Sequence, residues 1–181
     1  MLAVAVLSML AEAPMHAYRM QQLIKERHKD EVVNVAQRNS VYQTIERLLR
    51  DGLIDVQATE RAENRPERTV YEITREGRET LREWMLTMLS TPAREFPEFP
   101  AALAFLPIVT QEEAREALGR RAAALEAQLS ALDSEMAEAL TFLPRIFLIE
   151  DEYRRAVIAA ELAFVGTALA DLDAGRLAWK F

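Results

Sequence analysis

Residues 39–51 place Val41, Ile45, Leu48 and Leu49 at spacings of 4, 3 and 1, with polar side chains between them. That is the inward stripe of an amphipathic helix. Gly52 ends it, because glycine takes the positive φ that closes a helix at little cost. Upstream, residues 2–12 are almost wholly apolar and read as a buried helix. After Pro14, residues 16–28 read as a second helix with Tyr18, Met20, Leu23 and Ile24 on one side. Downstream, residues 53–60 alternate in part and 68–74 alternate well, with the polar, proline-bearing 61–68 between them. This predicts a β-hairpin with a long charged tip. Thr74 is placed to cap a fourth helix, 75–89, whose predicted inner face is Leu81, Trp84, Met85 and Met88.

The second half begins after residues 90–100, where Pro92, Pro97 and Pro100 forbid a continuous helix. A short helix is expected over 101–107. Thr110 and Glu113 then form a capping-box pair ahead of a long helix, about 111–141. Ala122, Leu129 and Met136 repeat every seven residues along it, as do Leu118, Leu125, Leu132 and Ala139. Two such series are the a and d positions of a coiled-coil seam. Pro144 interrupts. A last helix is predicted from Ile146 to Ala174, with Tyr153, Val157, Ala160, Phe164 and Leu172 near one stripe and Gly175 as its stop.

Three short helices followed by a two-stranded hairpin define a winged helix-turn-helix. The chain therefore reads as mainly α with a small β-hairpin: a winged helix-turn-helix over 1–90 and a helical, coiled-coil-like domain over 91–181. In that arrangement the third helix enters the major groove of DNA, and the hairpin tip lies over the neighbouring backbone or minor groove. Asn39, Ser40, Gln43 and Thr44 are the candidates for base edges, since amides and hydroxyls match them. Arg38 just precedes the helix, and Arg47 and Arg50 further along suit the phosphate backbone. Tyr42 serves either as a phosphate donor or as cover for the core edge. Arg61, Arg65 and Arg68 are spaced along the tip, beside Glu63 and Glu67. The seam of the long helix needs a partner, either the last helix or another subunit. Pairing between two chains through Leu118, Ala122, Leu125, Leu129, Leu132, Met136 and Phe164 is the expectation, because two linked reading heads strengthen each other's contact.

Charge alters this picture only locally. The net charge of -7 is carried by the second half, where 9 Lys/Arg face 15 Asp/Glu, whereas residues 1–90 hold 13 and 14. An acidic chain does not favour nucleic acid by default, so the position of each arginine decides. The chain has no Cys, which excludes disulfides and thiolate chemistry. His16 and His28 lie twelve residues apart without a zinc-ligand pattern, and Ser40 and Ser90 have no partner base. Five glycines form no phosphate-cradling loop. Glu150, Asp151 and Glu152 are consecutive and point in different directions on a helix. No enzyme, cofactor or metal site is expected. The apolar opening run carries no basic residue and ends by Glu12, too short to span a bilayer, so a cytoplasmic protein without a membrane partner is expected. Trp84, Phe96 and Phe99 lie near the domain junction beside prolines. They either line a pocket for a small hydrophobic or aromatic effector or seal the core there. Two functions stand: a dimeric regulator of double-stranded DNA, and a winged-helix module that binds protein.

Three segments, 7–24, 39–54 and 68–84, resemble the PadR family of transcriptional regulators. The resemblance rests on His16 and Tyr18 in the first, on Tyr42, Ile45, Leu48 and the Gly52–Leu53–Ile54 run in the second, and on Tyr71, Ile73, Thr74 and Gly77 in the third. Segments 103–132 and 160–172 resemble the helical dimerisation domain of the larger PadR subclass. Ala17 stands where the family often has Gly, and no Pro follows Tyr42. The resemblance implies a homodimer, usually a repressor, whose hold on DNA is altered by a small aromatic or hydrophobic effector.

Overall fold

The structure, a computed structural model, describes residues 1–27, 29, 38–60, 68–177 and 179, with the main chain alone at 38, 39, 59, 60 and 68. The chain forms two compact units, Met1–Arg94 and Glu95–Phe181. The elements run α1 (Leu2–Glu12), β1 (Met15–His16), α2 (Ala17–Glu26), α3 (Arg38–Arg50), β2 (Ile54–Glu60), β3 (Arg68–Ile73), α4 (Arg75–Ser90), α5 (Glu98–Ala104), α6 (Gln111–Ala139) and α7 (Ile149–Asp173).

In the first unit α1 is apolar on all sides because it packs on α3, α4 and β3 at once. Val6, Leu7, Leu10, Met20, Ile24, Val41, Ile45, Leu48 and Ile54 fill a single core with the two ends of the sheet. β2 and β3 form the expected antiparallel hairpin, from Ile54 opposite Ile73 to Glu60 opposite Arg68, with an irregularity between Val56 and Ala58. A third strand joins them. Met15 and His16 pair with Tyr71 and Val70, giving the order β1-β3-β2. Two residues are too few to show alternation, so the pattern of the sequence could not reveal β1. Tyr18 is exposed rather than inward. Ala17 takes the inward place, and Ala17, Met20, Leu23 and Ile24 form the stripe of α2. His16 caps α2 by accepting the Arg19 N–H at Nδ1, 3.0 Å away. The inner face predicted for α4 reaches the core only through Leu81, while Trp84, Met85 and Met88 are exposed within this unit.

In the second unit Pro97 precedes α5 and Pro100 is its third residue. The first four N–H groups of a helix have no intrahelical acceptor, so a proline there costs no hydrogen bond. The predicted 101–107 helix therefore starts earlier than expected. Thr110 and Glu113 make the expected capping box on α6. α6 and α7 pack as an antiparallel pair. Arg115 meets Asp173 at 2.7 Å, Arg121 meets Glu161 at 2.6 Å and Arg155 meets Asp133 at 2.5 Å. Leu118 and Leu125 are buried with Val165 and Leu172 of α7, and Ala122 packs beside them. Leu132 is buried as well, and Leu129 and Met136 are half-buried. The leucine series expected to line a seam between chains is thus taken up inside one chain. A heptad pattern states that a seam is covered, and α7 supplies the cover. Phe164 differs from those leucines: half of it is exposed, and Val157 and Tyr153, about two and three turns earlier on the same side of α7, are exposed as well.

Candidate nucleic-acid interface

The second and third helices of the first unit, α2 and α3, pack on one another. α3 buries Val41, Ile45 and Leu48 and exposes Tyr42, Gln43, Glu46, Arg47 and Arg50. Gln43, Glu46, Arg47 and Arg50 follow the i, i+3, i+4, i+7 spacing, so one face presents an amide, a carboxylate and two guanidinium groups. Neither Arg47 nor Arg50 has an ion-pair partner among the described residues. Several guanidinium groups elsewhere are engaged, Arg19 with Glu26 at 2.9 Å, Arg27 with Glu12 at 2.6 Å, and in the second unit Arg115, Arg121, Arg145, Arg155 and Arg176 with carboxylates, although Arg78 on α4 meets only the Ala11 carbonyl. Glu46 shares the face, but neither guanidinium is closed into an ion pair with it, so both stay available to an incoming anion.

α3 ends sharply. Gly52 adopts φ +70, its N–H donates to the Leu49 carbonyl at 3.0 Å, and the Leu53 N–H donates to Leu48 at 2.9 Å. This is the Schellman closure, which satisfies the last carbonyls and turns the chain at once into β2. The exposed arginine face therefore stops where the wing strand starts.

Thr44 departs from the expectation that it reads bases. It is 8% exposed, and its hydroxyl donates to the Ser40 carbonyl at 2.7 Å. A threonine can satisfy its hydroxyl on the preceding turn, and so occupies an inward position that polarity alone argues against. Ser40 is half-buried. Arg38 and Asn39 begin α3, and only their main chain is described; Arg68 likewise begins β3. Arg61 and Arg65, and most of the charged tip, lie outside the described residues. Tyr18, like Trp84, Met85 and Met88, is an exposed side chain that the sequence pattern assigned to the core. The 17, 20, 24 spacing could have shown that it faces outward.

The three aromatic residues proposed for an effector divide between the units. Trp84 is on α4 in the first. Phe96 and Phe99 are in the second, where Phe96 is exposed. Phe99 packs on the Leu118–Val165 cluster, with the Arg121 guanidinium 3.7 Å above its ring and Phe164 edge-on at 6.4 Å. An open groove of about 510 Å³ along α6, lined by Glu126, Leu129, Asp133 and Leu162 among others, includes none of the three. Among the described residues no group of His, Cys, Asp or Glu is arranged to hold a metal ion, and no helix is long and apolar enough to cross a membrane.

Residues 6–83 match the Transcriptional regulator PadR-like family. No curated protein sequence matches the chain. Solved structures similar in fold include Bacillus subtilis PadR in complex with operator DNA, at 18% identity and TM-score 0.78, covering 94% of this chain and 98% of that one. The same protein in complex with p-coumaric acid aligns at TM-score 0.77 and 18% identity, covering 95% and 98%. The Vibrio cholerae virulence activator AphA aligns at TM-score 0.68 and 19% identity, covering 96% and 99%.

Proposed function

We propose, from the premise that this chain belongs to the PadR-like family of transcriptional regulators, that it binds double-stranded DNA as a homodimer and represses transcription. The observation that carries this reading is the outer face of α3. It offers Gln43 to base edges and unpaired Arg47 and Arg50 to phosphates, on a helix whose other side is anchored in the core. The likeness of fold to a PadR bound to operator DNA supports it. Arg38, Asn39, Ser40 and Tyr42 belong to the proposed contact surface, together with the wing arginines Arg61, Arg65 and Arg68. Thr44 does not. A regulator of transcription works where the chromosome is, so the proposal carries a cytoplasmic location with it.

Two copies pair, in this reading, through the apolar side of α7 that its own chain leaves uncovered. Tyr153, Val157 and Phe164 are its core. A small aromatic effector that weakens the hold on DNA is supported by the likeness to a PadR bound to p-coumaric acid, with Trp84, Phe96 and Phe99 as the side chains to examine.

The deciding experiment is to incubate purified protein with sheared genomic DNA and sequence what it retains. Enrichment of a few sites with two-fold symmetric half-sites is expected. Retention of no duplex even at low salt ends the DNA reading in favour of a winged-helix module that binds protein.

A further inference from the structure

Thr74 lies between β3 and α4 and reaches the end of α3. Its hydroxyl donates to the Gly52 carbonyl at 2.9 Å and accepts the Gly77 N–H at 2.9 Å, while its own N–H donates to the Leu53 carbonyl at 3.1 Å. Gly52 and Leu53 are the two residues whose N–H groups close the last turn of α3. One side chain thus ties together three pieces: the end of the helix proposed to read DNA, the strand leaving the wing, and the first turn of α4. Gly77 allows the approach. A Cβ at that position would stand 2.0 Å from the Leu53 carbonyl oxygen and 2.9 Å from Ile73 Cγ1. Capping α4 requires only that Thr74 accept a hydrogen bond. The bond that it donates to Gly52 contributes nothing to the cap and acts on α3 alone.

We propose that Thr74 is a positioning residue for DNA recognition, its hydroxyl fixing α3 against the wing and α4 so that both meet one duplex in register. The inference rests on the DNA-binding reading above. Hydrogen bonds to base edges weaken steeply when donor and acceptor are misaligned. Attraction between arginines and phosphates tolerates such error, because it follows the charge rather than the angle. Loosening the tie therefore costs specific affinity more than non-specific affinity.

Two substitutions in the full chain separate the tie from the cap. Thr74→Ser keeps both hydrogen bonds. Thr74→Asp still accepts the Gly77 N–H and caps α4, but its carboxylate has no hydrogen to donate to Gly52. Affinity is measured for a genomic fragment recovered by the wild type and for a random duplex of equal length. The added negative charge of Asp acts on both duplexes and drops out of their ratio. T74S is expected to keep the specific-to-random ratio within about twofold and T74D to lower it about tenfold, the worth of one good base contact, with helix content unchanged. A folded T74D whose ratio matches the wild type overturns the inference and leaves the DNA reading standing. If T74D does not fold, amide exchange in the wild type decides: the recovered fragment should slow the Thr74 amide, which donates to Leu53 at the end of α3, more than the random duplex does, and equal exchange overturns the inference. A wild type that recovers no fragment removes the DNA reading and this inference together.

Discussion

Arg47 and Thr44 are three residues apart on α3, and the structure gives them opposite parts. Arg47 is exposed and unpaired among the described residues, whereas Thr44 is buried with its hydroxyl satisfied by Ser40. Arg47→Glu is therefore expected to abolish gel-shift retention at moderate salt. Arg50→Ala should lower the slope of log affinity against log salt by about 0.9, the value of one lost phosphate contact. Thr44→Val, nearly the same shape, should leave retention within about twofold of the wild type, since its hydroxyl bond is local and worth about 1 kcal/mol at most. A strong loss of binding in Thr44→Val would mean that the side chain turns outward on DNA. The sequence showed the stripe of Val41, Ile45 and Leu48 plainly. It could not show that Thr44 joins them, because the hydroxyl's partner is a carbonyl of the same helix, and composition does not reveal such a bond. Tyr18 was misread for the converse reason: its ring is apolar enough to suit a core position that the smaller Ala17 holds.

At the level of elements, the α6–α7 pair combines a leucine seam with charged rungs, and the two respond to different conditions. The hydrogen bond from Arg155, aided by its positive charge, holds the Asp133 carboxyl below the ordinary carboxylate value; Arg145 does the same to Glu152, and the Thr110 N–H and hydroxyl do so to Glu113. A carboxyl more acidic in the folded chain than in the unfolded one stabilises fully above its unfolded pKa, roughly pH 4. That stabilisation fades as pH falls through the lowered folded value. Asp133→Asn should therefore melt below the wild type at neutral pH and converge with it only once the pH has fallen below the lowered folded value, as followed by circular dichroism. A constant difference across that range would mean that the Arg155 pair contributes nothing. Leu125→Ala removes a buried side chain of the seam instead, and should cost about 2–5 kcal/mol at any of these pH values. The heptads were legible in the sequence, and so was the capping box of Thr110 and Glu113. The identity of the covering helix was not, because a repeat of seven records burial and is silent on which chain provides it. β1 was hidden by its brevity, and the wing arginines Arg61 and Arg65 lie outside the described residues.

For the whole molecule, the uncovered side of α7 and the exposed face of α3 belong to different compact units. Assembly and DNA contact should therefore be separable by substitution. Val157→Glu together with Tyr153→Glu is expected to give a folded monomer by sedimentation velocity, with retention of a two-half-site fragment reduced about 100-fold or more, because the second reading head is no longer linked to the first. A double variant that sediments as the wild type would place the pairing surface elsewhere. Because Leu118 and Leu125 are already covered by the chain's own last helix, the seam between α6 and α7 is closed within one chain. The pairing proposed above would then join two such hairpins after each has closed its own seam. If two copies pair as proposed, subunits could exchange without unfolding, and well below the dissociation constant a twofold drop in chain concentration should lower the amount of paired regulator about fourfold.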